Sequence, residues 1–196
     1  MGALTYQSLD DAIDHFLQTM KSGFPCVKLT RTDGEATRRY KVEPPFQSLR
    51  EFKPLDAGEL QIQYKNVANM TQTENQQWIK TWVFRMALTI AHELTHFFTG
   101  YKTGDARPIT PPNVSVPGWE GGEAGRAWEV ATFGGIVEFW SDGNDLNQPG
   151  EPIIFADLGR DTEGRPVSAR YVEAFAGGSK SRERETGKES PRAPLL

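Results

Sequence analysis

The residues best suited to chemistry lie in one pentapeptide, His92-Glu93-Leu94-Thr95-His96. Residues four positions apart on an α-helix lie on the same face, so the two imidazoles can reach a single divalent metal ion. Glu93 then lies beside the open coordination position, where it can act as a general base. Two of the three histidines in the 196 residues fall at this spacing. The motif predicts the metal centre of a zinc hydrolase.

A zinc centre of this kind needs a third protein ligand, because water takes the fourth position. His15 is the only other histidine, and the apolar stripe of the first helix predicts it on the opposite, solvated face. A surface role is therefore favoured over a ligand role for His15. Acids concentrate around the start of a predicted helix downstream of the motif: Glu120, Glu123 and Glu129.

With these residues the chain resembles the gluzincin metallopeptidases, in which the two motif histidines and a glutamate from a following helix hold zinc. The resemblance covers the pentapeptide and one downstream acid. It implies His92, His96 and Glu123 as zinc ligands, with Glu129 as the alternative third ligand. Whichever acid does not bind metal is expected to accept the free ring proton of His92 or His96 and so fix its tautomer.

The reaction implied is attack of a metal-activated water on an amide carbonyl, with Glu93 taking the proton of the water. The oxyanion formed needs an electrophilic partner, and Tyr101, Arg107 and Arg126 are the candidates. Tyr101 also suits a place in the core at the end of the motif helix, and Arg126 also suits an ion pair within its own helix. The predicted substrate is a peptide or a compact small molecule.

Three other interpretations stay open at this stage. His92 and His96 could be ordinary helix residues without metal, which would leave two imidazoles beside an apolar run in need of partners. Two histidines and a carboxylate also form the facial triad of non-haem iron enzymes, which points to a Zn or Fe enzyme acting on a small molecule. A binding protein with a decayed site is the third interpretation, and the intact Glu93 argues against it.

The composition excludes several partners. The net charge is −4, and no cluster of Lys and Arg precedes the last twenty residues, which argues against a nucleic-acid surface. The first residues lack a basic region followed by an apolar run, and the mean hydropathy is −0.55. Cys26 is the single cysteine and has no internal disulfide partner. We therefore predict a cytoplasmic protein with no membrane or nucleic-acid partner.

The pattern of elements predicts an α+β protein with one catalytic domain over 1–176 and a disordered tail over 177–196. The resemblance adds that the domain is zincin-like, with a small antiparallel or mixed sheet packed against the central HExxH helix and a following helix. The expected elements are a helix from Ser8 to Gly23, a hairpin of strands at 26–31 and 37–42, a strand at 59–64, the motif helix at 73–98, a helix at 123–140, a strand at 152–156 and a helix at 167–175.

Overall fold

The computed structural model describes residues 8–31, 36–40, 51–103, 110, 122–141, 145, 147–156 and 164–177. The helices are α1 (Leu9–Ser22), α2 (Pro54–Ala57), α3 (Tyr64–Gln72), α4 (Gln76–Thr103), α5 (Ala124–Phe133) and α6 (Ala169–Ala176). The strands are β1 (Cys26–Thr30), β2 (Ala36–Tyr40), β3 (Gly58–Gln63), β4 (Ile136–Trp140), β5 (Glu151–Phe155) and β6 (Arg165–Pro166). The predicted mixed α+β class with small sheets is confirmed. Of the predicted tail, 177–196, Gly177 is the C-cap of α6, and residues 178–196 lie outside the described residues.

Helix α4 is the central element and carries the pentapeptide. Asn75 begins it, because its side-chain oxygen accepts hydrogen bonds from the backbone N–H groups of Gln77 and Trp78. The helix packs against α1, α3, α5, α6, β2 and β5. It continues to Thr103, past the predicted end at 98, with Gly100 buried inside it. No described helix has the length and apolar character needed to cross a membrane.

The strands form two small sheets, and one predicted pairing is wrong. The first sheet has the order β1-β3-β2, with β1 parallel and β2 antiparallel to β3. The expected hairpin would have paired β1 directly with β2. Instead β3 lies between them, because its Leu60 and Ile62 are buried whereas Val27 and Leu29 of β1 are exposed. The strand with the most apolar surface to bury therefore takes the central place.

The helix predicted over 123–140 is shorter than expected. It ends at Phe133, where Gly134 adopts a left-handed conformation with φ of 75° and donates its N–H to the carbonyl of Val130. A Cβ on Gly135 would overlap the backbone of Phe155. The glycine pair therefore ends α5 and allows the chain to enter β4, which pairs with β5 in the antiparallel second sheet, β4-β5-β6.

The contact between α1 and the last turns of α4 corrects the prediction for His15. Ser8 begins α1 as the N-cap and accepts a hydrogen bond from the N–H of Asp11. His15 is half-buried, and its Nδ1 lies 2.6 Å from the hydroxyl of Tyr101. The expected solvated surface position is thus wrong, because α4 extends far enough to cover this ring. The surrounding core cluster contains Phe16, Met20, Phe52, Phe97 and Tyr101.

Candidate metal centre

Three of the predicted ligands converge in the structure. One ligand atom each from His92, His96 and Glu123 lies within 4.8 Å of the other two. Oε1 of Glu123 is 2.5 Å from Nε2 of His96 and 3.6 Å from Nε2 of His92. The histidines come from successive turns of α4, and Glu123 comes from the start of α5. This group could hold a metal ion.

The surroundings of His96 fit a cation between these side chains. Its Nε2 atom is buried and has no hydrogen-bond partner among the described residues, although Oε1 of Glu123 is only 2.5 Å away. A buried ring nitrogen without a partner calls for an explanation. A metal ion bound by this nitrogen and by the adjacent carboxylate provides one.

Glu123 is held in place by the helix that follows it. It is the N-cap of α5, and its Oε1 accepts a hydrogen bond of 3.0 Å from the N–H of Gly125. Burial alone would raise the pKa of Glu123, but the contact with His96, the charges of His96 and His92 and the Gly125 N–H lower this pKa to about 2. The carboxylate is therefore ionised at neutral pH, as a metal ligand must be.

This low pKa predicts acid sensitivity of the metal-free protein. A carboxyl whose folded-state pKa is depressed stabilises the fold above its ordinary value, and that contribution is lost as the pH falls through the folded value. For Glu123 the window runs from 4.5 down to about 2. We expect the free energy of unfolding, measured in urea at several pH values, to fall less in Glu123→Gln than in the wild type across this window. Parallel curves for the two proteins would contradict the prediction.

Glu129 occupies a position behind the ligand group. Its side chain is 2% exposed, and its Oε1 lies 2.7 Å from Nδ1 of His92. Its Oε2 accepts hydrogen bonds from the N–H of Val137 at 3.0 Å and from Nη1 of Arg126 at 3.1 Å. When Nδ1 of His92 is the donor to this carboxylate, Nε2 keeps its lone pair for a metal. In this geometry Glu123 is the carboxylate that converges with His92 and His96, whereas Glu129 contacts the other ring nitrogen of His92.

The two helices approach closely at Gly125. A Cβ added to this glycine would overlap the imidazole of His92. The first turn of α5 therefore needs a residue without a side chain to bring Glu123 beside the motif. Gly125 is thus part of what positions Glu123 beside His92 and His96.

Gly125→Ala is expected to displace His92 and to lower the free energy of unfolding by about 1–3 kcal/mol, the usual effect of overpacking. The zinc affinity should also fall, since the imidazole of His92 would no longer be held against Glu129. Gly23→Ala is the matched control, because a Cβ there meets no atom within 4 Å. Zinc titration and urea unfolding measure the two effects. An unchanged zinc affinity in Gly125→Ala would mean that the ring has room to move without loss of the site.

A cleft of about 270 Å³ opens beside the ligand group. Glu93 lines it and is itself 6% exposed, so the general base predicted from the motif faces this space from a buried position. The cleft lies between the motif helix, α5, the start of β2 and the edge of β4. Its lining consists of Ala36, Leu88, Thr89, His92, Glu93, Arg126, Glu129, Val137, Glu138 and Phe139.

Comparison with known proteins gives no family assignment. No protein family, curated protein or solved structure matches this chain. The arrangement of side chains around the cleft is therefore the basis for any assignment of function. The functional assignment is argued from these side chains and not from the fold.

The three residues predicted as electrophilic partners differ in their position relative to the cleft. Tyr101 is fully buried in the core cluster with its hydroxyl against His15, so its position does not support a catalytic role. Arg126 lines the cleft, but its Nη1 and Nη2 bind Glu129 and Glu138. Burial would lower the pKa of Arg126, and these two carboxylates raise it above its ordinary value. A role for Arg126 in catalysis stays a prediction. Arg107 and Glu120 lie outside the described residues.

Sequence reasoning missed the contribution of β4 to the site. Val137 and Glu138 fall in the segment that was predicted as helix, so no role was expected for them. Val137 donates its N–H to Glu129, and Glu138 binds Arg126 at 2.7 Å. The glycine pair at 134–135 was the one local signal that could have indicated a change from helix to strand before these residues.

Proposed function

We propose that this protein is a zinc-dependent hydrolase, and specifically a metallopeptidase of the gluzincin type with a zincin-like fold. The observation that carries the proposal is the convergence of His92, His96 and Glu123 beside the buried Glu93. Two imidazoles and one carboxylate form a ligand set that zinc uses in hydrolases, with one position left for water. The cleft next to this group gives a substrate access to the base.

Each residue has a distinct part in the proposed reaction. Zinc, when bound, supplies Lewis-acid activation of the attacking water and of the scissile carbonyl. His92, His96 and Glu123 hold it, while Glu129 keeps His92 in the tautomer that presents Nε2. Glu93 takes a proton from the attacking water and delivers it to the leaving amine.

The negative charge that develops on the carbonyl oxygen needs a donor in the cleft. Arg126 is the candidate, because its guanidinium lines the cleft and is held there by Glu129 and Glu138. Nη1 and Nη2 of Arg126 already bind these two carboxylates. Arg126 would therefore act as a fixed positive charge near the reacting carbonyl.

The proposal is tested by incubating the purified protein with a mixed library of linear peptides and identifying products by mass spectrometry. We expect cleavage that stops when a chelator removes metal and returns when zinc is added. His96→Ala should be inactive, whereas His15→Ala, which removes the histidine outside the ligand group, should retain zinc. Recovery of activity with iron alone, and turnover that consumes oxygen, would instead support the alternative of a two-histidine iron enzyme acting on a small molecule.

A further inference from the structure

Arg126 joins two carboxylates in the wall of the cleft. Its Nη1 binds Oε2 of Glu129 at 3.1 Å, and its Nη2 binds Oε1 of Glu138 at 2.7 Å. One guanidinium thus faces two carboxylates, so the three side chains together carry one net negative charge. The Glu129 side chain is 2% exposed, whereas that of Glu138 is 36% exposed. The excess negative charge of this trio is therefore presented to the cleft by Glu138.

Glu138 has the capacity to bind a second cation. It lines the cleft from β4, and its contact with Arg126 uses Oε1. A carboxylate has about four acceptor positions on its two oxygens, so this contact leaves Oε2 for another donor. An ammonium or guanidinium group that enters the cleft would find that acceptor at a side chain already open to solvent. Hydrogen bonds between ionised partners are the stronger ones in proteins.

The ion pairs hold Glu138 at a set position relative to the candidate metal ligands. Glu129 binds Arg126 through one oxygen and Nδ1 of His92 through the other. Glu138 therefore lies one guanidinium and one carboxylate away from an imidazole of the ligand group. The cleft also has apolar lining: Ala36, Leu88 and Phe139 are among its residues. Lysine and arginine side chains combine an apolar stem with a charged head, which suits a cleft of this composition.

We propose that the site acts on substrates with a basic side chain next to the scissile carbonyl, and that Glu138 is the residue that selects this charge. The inference rests on the proposed function and names its substrate class. If Glu138 only held Arg126 in place, it would give no preference for a cationic substrate. The two roles therefore differ in one measurable quantity, which is the ratio of affinities for a charged ligand and for its uncharged analogue.

The experiment measures the affinity of three N-acetyl amino acid hydroxamates for the zinc-loaded protein, with the chelated protein as blank. The hydroxamate group is the metal-binding group in each, and the side chain is that of lysine, norleucine or glutamate. We expect the lysine compound to bind about tenfold tighter than the norleucine compound, since a hydrogen bond between charged groups is gained. The glutamate compound should bind more weakly than the norleucine compound, because its charge has the same sign as that of Glu138.

Glu138→Gln assigns the preference to one residue. The amide keeps the shape of the side chain and removes its charge, so the ratio of lysine to norleucine affinity should fall to about one. A ratio taken within one protein cancels any effect of the substitution on the metal centre. Glu74→Gln makes the same change at an exposed glutamate that is not among the residues lining the cleft, and its ratio should equal that of the wild type.

A further ligand distinguishes a basic side chain from the amino terminus of a peptide. Norleucine hydroxamate with a free α-amino group carries its charge at the terminus and should bind no better than its acetylated form. If instead the free amino group gave the gain, and Glu138→Gln abolished it, Glu138 would recognise the terminus and the selection of a side chain would be overturned.

The outcomes separate this inference from the proposed function. Zinc-dependent binding with a lysine to norleucine ratio of about one in the wild type, or a raised ratio that Glu138→Gln retains, would overturn selection by Glu138 and leave the metal centre intact. Failure of all the hydroxamates to distinguish zinc-loaded from chelated protein would overturn the metal centre, and the inference with it.

Discussion

Glu93→Gln should lower the rate of zinc-dependent peptide hydrolysis by about 10²–10⁴-fold, the usual contribution of a general base. The amide has nearly the same shape as the carboxylate but cannot take up the proton of the attacking water. Glu93 is not one of the three converging ligands, so the zinc content should stay unchanged. Initial rates on a single cleaved peptide, with zinc measured on the same samples, provide the test.

The control for this substitution is Glu74→Gln, which makes the same chemical change at an exposed glutamate just before α4. Its rate should equal that of the wild type. If Glu93→Gln retained full activity, the mechanism proposed here would be wrong. If it lost zinc together with activity, Glu93 would instead support the ligands, and the base would have to be found elsewhere.

Removal of the Glu129 side chain should have a large effect on both the free energy of unfolding and the metal affinity. Glu129→Ala leaves the Nδ1 of His92, the N–H of Val137 and the guanidinium of Arg126 without their common partner. Breaking a buried charge network in this way usually lowers the free energy of unfolding by about 3–5 kcal/mol. Loss of a group that orients a metal-binding histidine usually weakens metal affinity by about 10–100-fold.

Glu129→Gln separates these two effects, because it keeps the volume of the side chain and one acceptor oxygen. We expect Glu129→Gln to lower the free energy of unfolding less than Glu129→Ala does, by about 1–3 kcal/mol. Its loss of zinc affinity should be most of the loss seen in Glu129→Ala. Glu138→Gln is the matched control, since Glu138 binds the same Arg126, whereas the bonds to Nδ1 of His92 and to the N–H of Val137 come from Glu129. Zinc competition with a chelating dye measures the affinities. Equal zinc affinity in Glu129→Gln and the wild type would show that His92 needs no orienting carboxylate.

The parts of the fold that could be predicted are those with a local signal. The apolar periodicity of α1, its Ser8 N-cap and the unbroken apolar run of α4 follow from residues close together in the chain. The spacing of His92 and His96 needs only a continuous helix to place both rings on one face. Glu123 could be named as a candidate because it is one of three acids around the start of a predicted helix, and the resemblance to the gluzincins implies a ligand from such a helix.

The parts that could not be predicted depend on contacts between distant segments. The insertion of β3 between β1 and β2 reflects which strand has the most apolar surface to bury, and local patterns do not compare strands. The pairing of His15 with Tyr101 depends on how far α4 extends. The bond between Glu129 and Val137 required the change from α5 to β4 at Gly134, where a left-handed residue ends the helix.

The most direct test of the central claim is elemental analysis of metal in the purified wild type, Glu123→Ala and Glu129→Gln after dialysis against zinc at saturating concentration. We predict about one zinc ion per chain in the wild type and in Glu129→Gln, and none above background in Glu123→Ala. A folded wild type that takes up no zinc, or a Glu123→Ala variant that binds it as fully as the wild type, would contradict the assignment of His92, His96 and Glu123 as a zinc centre.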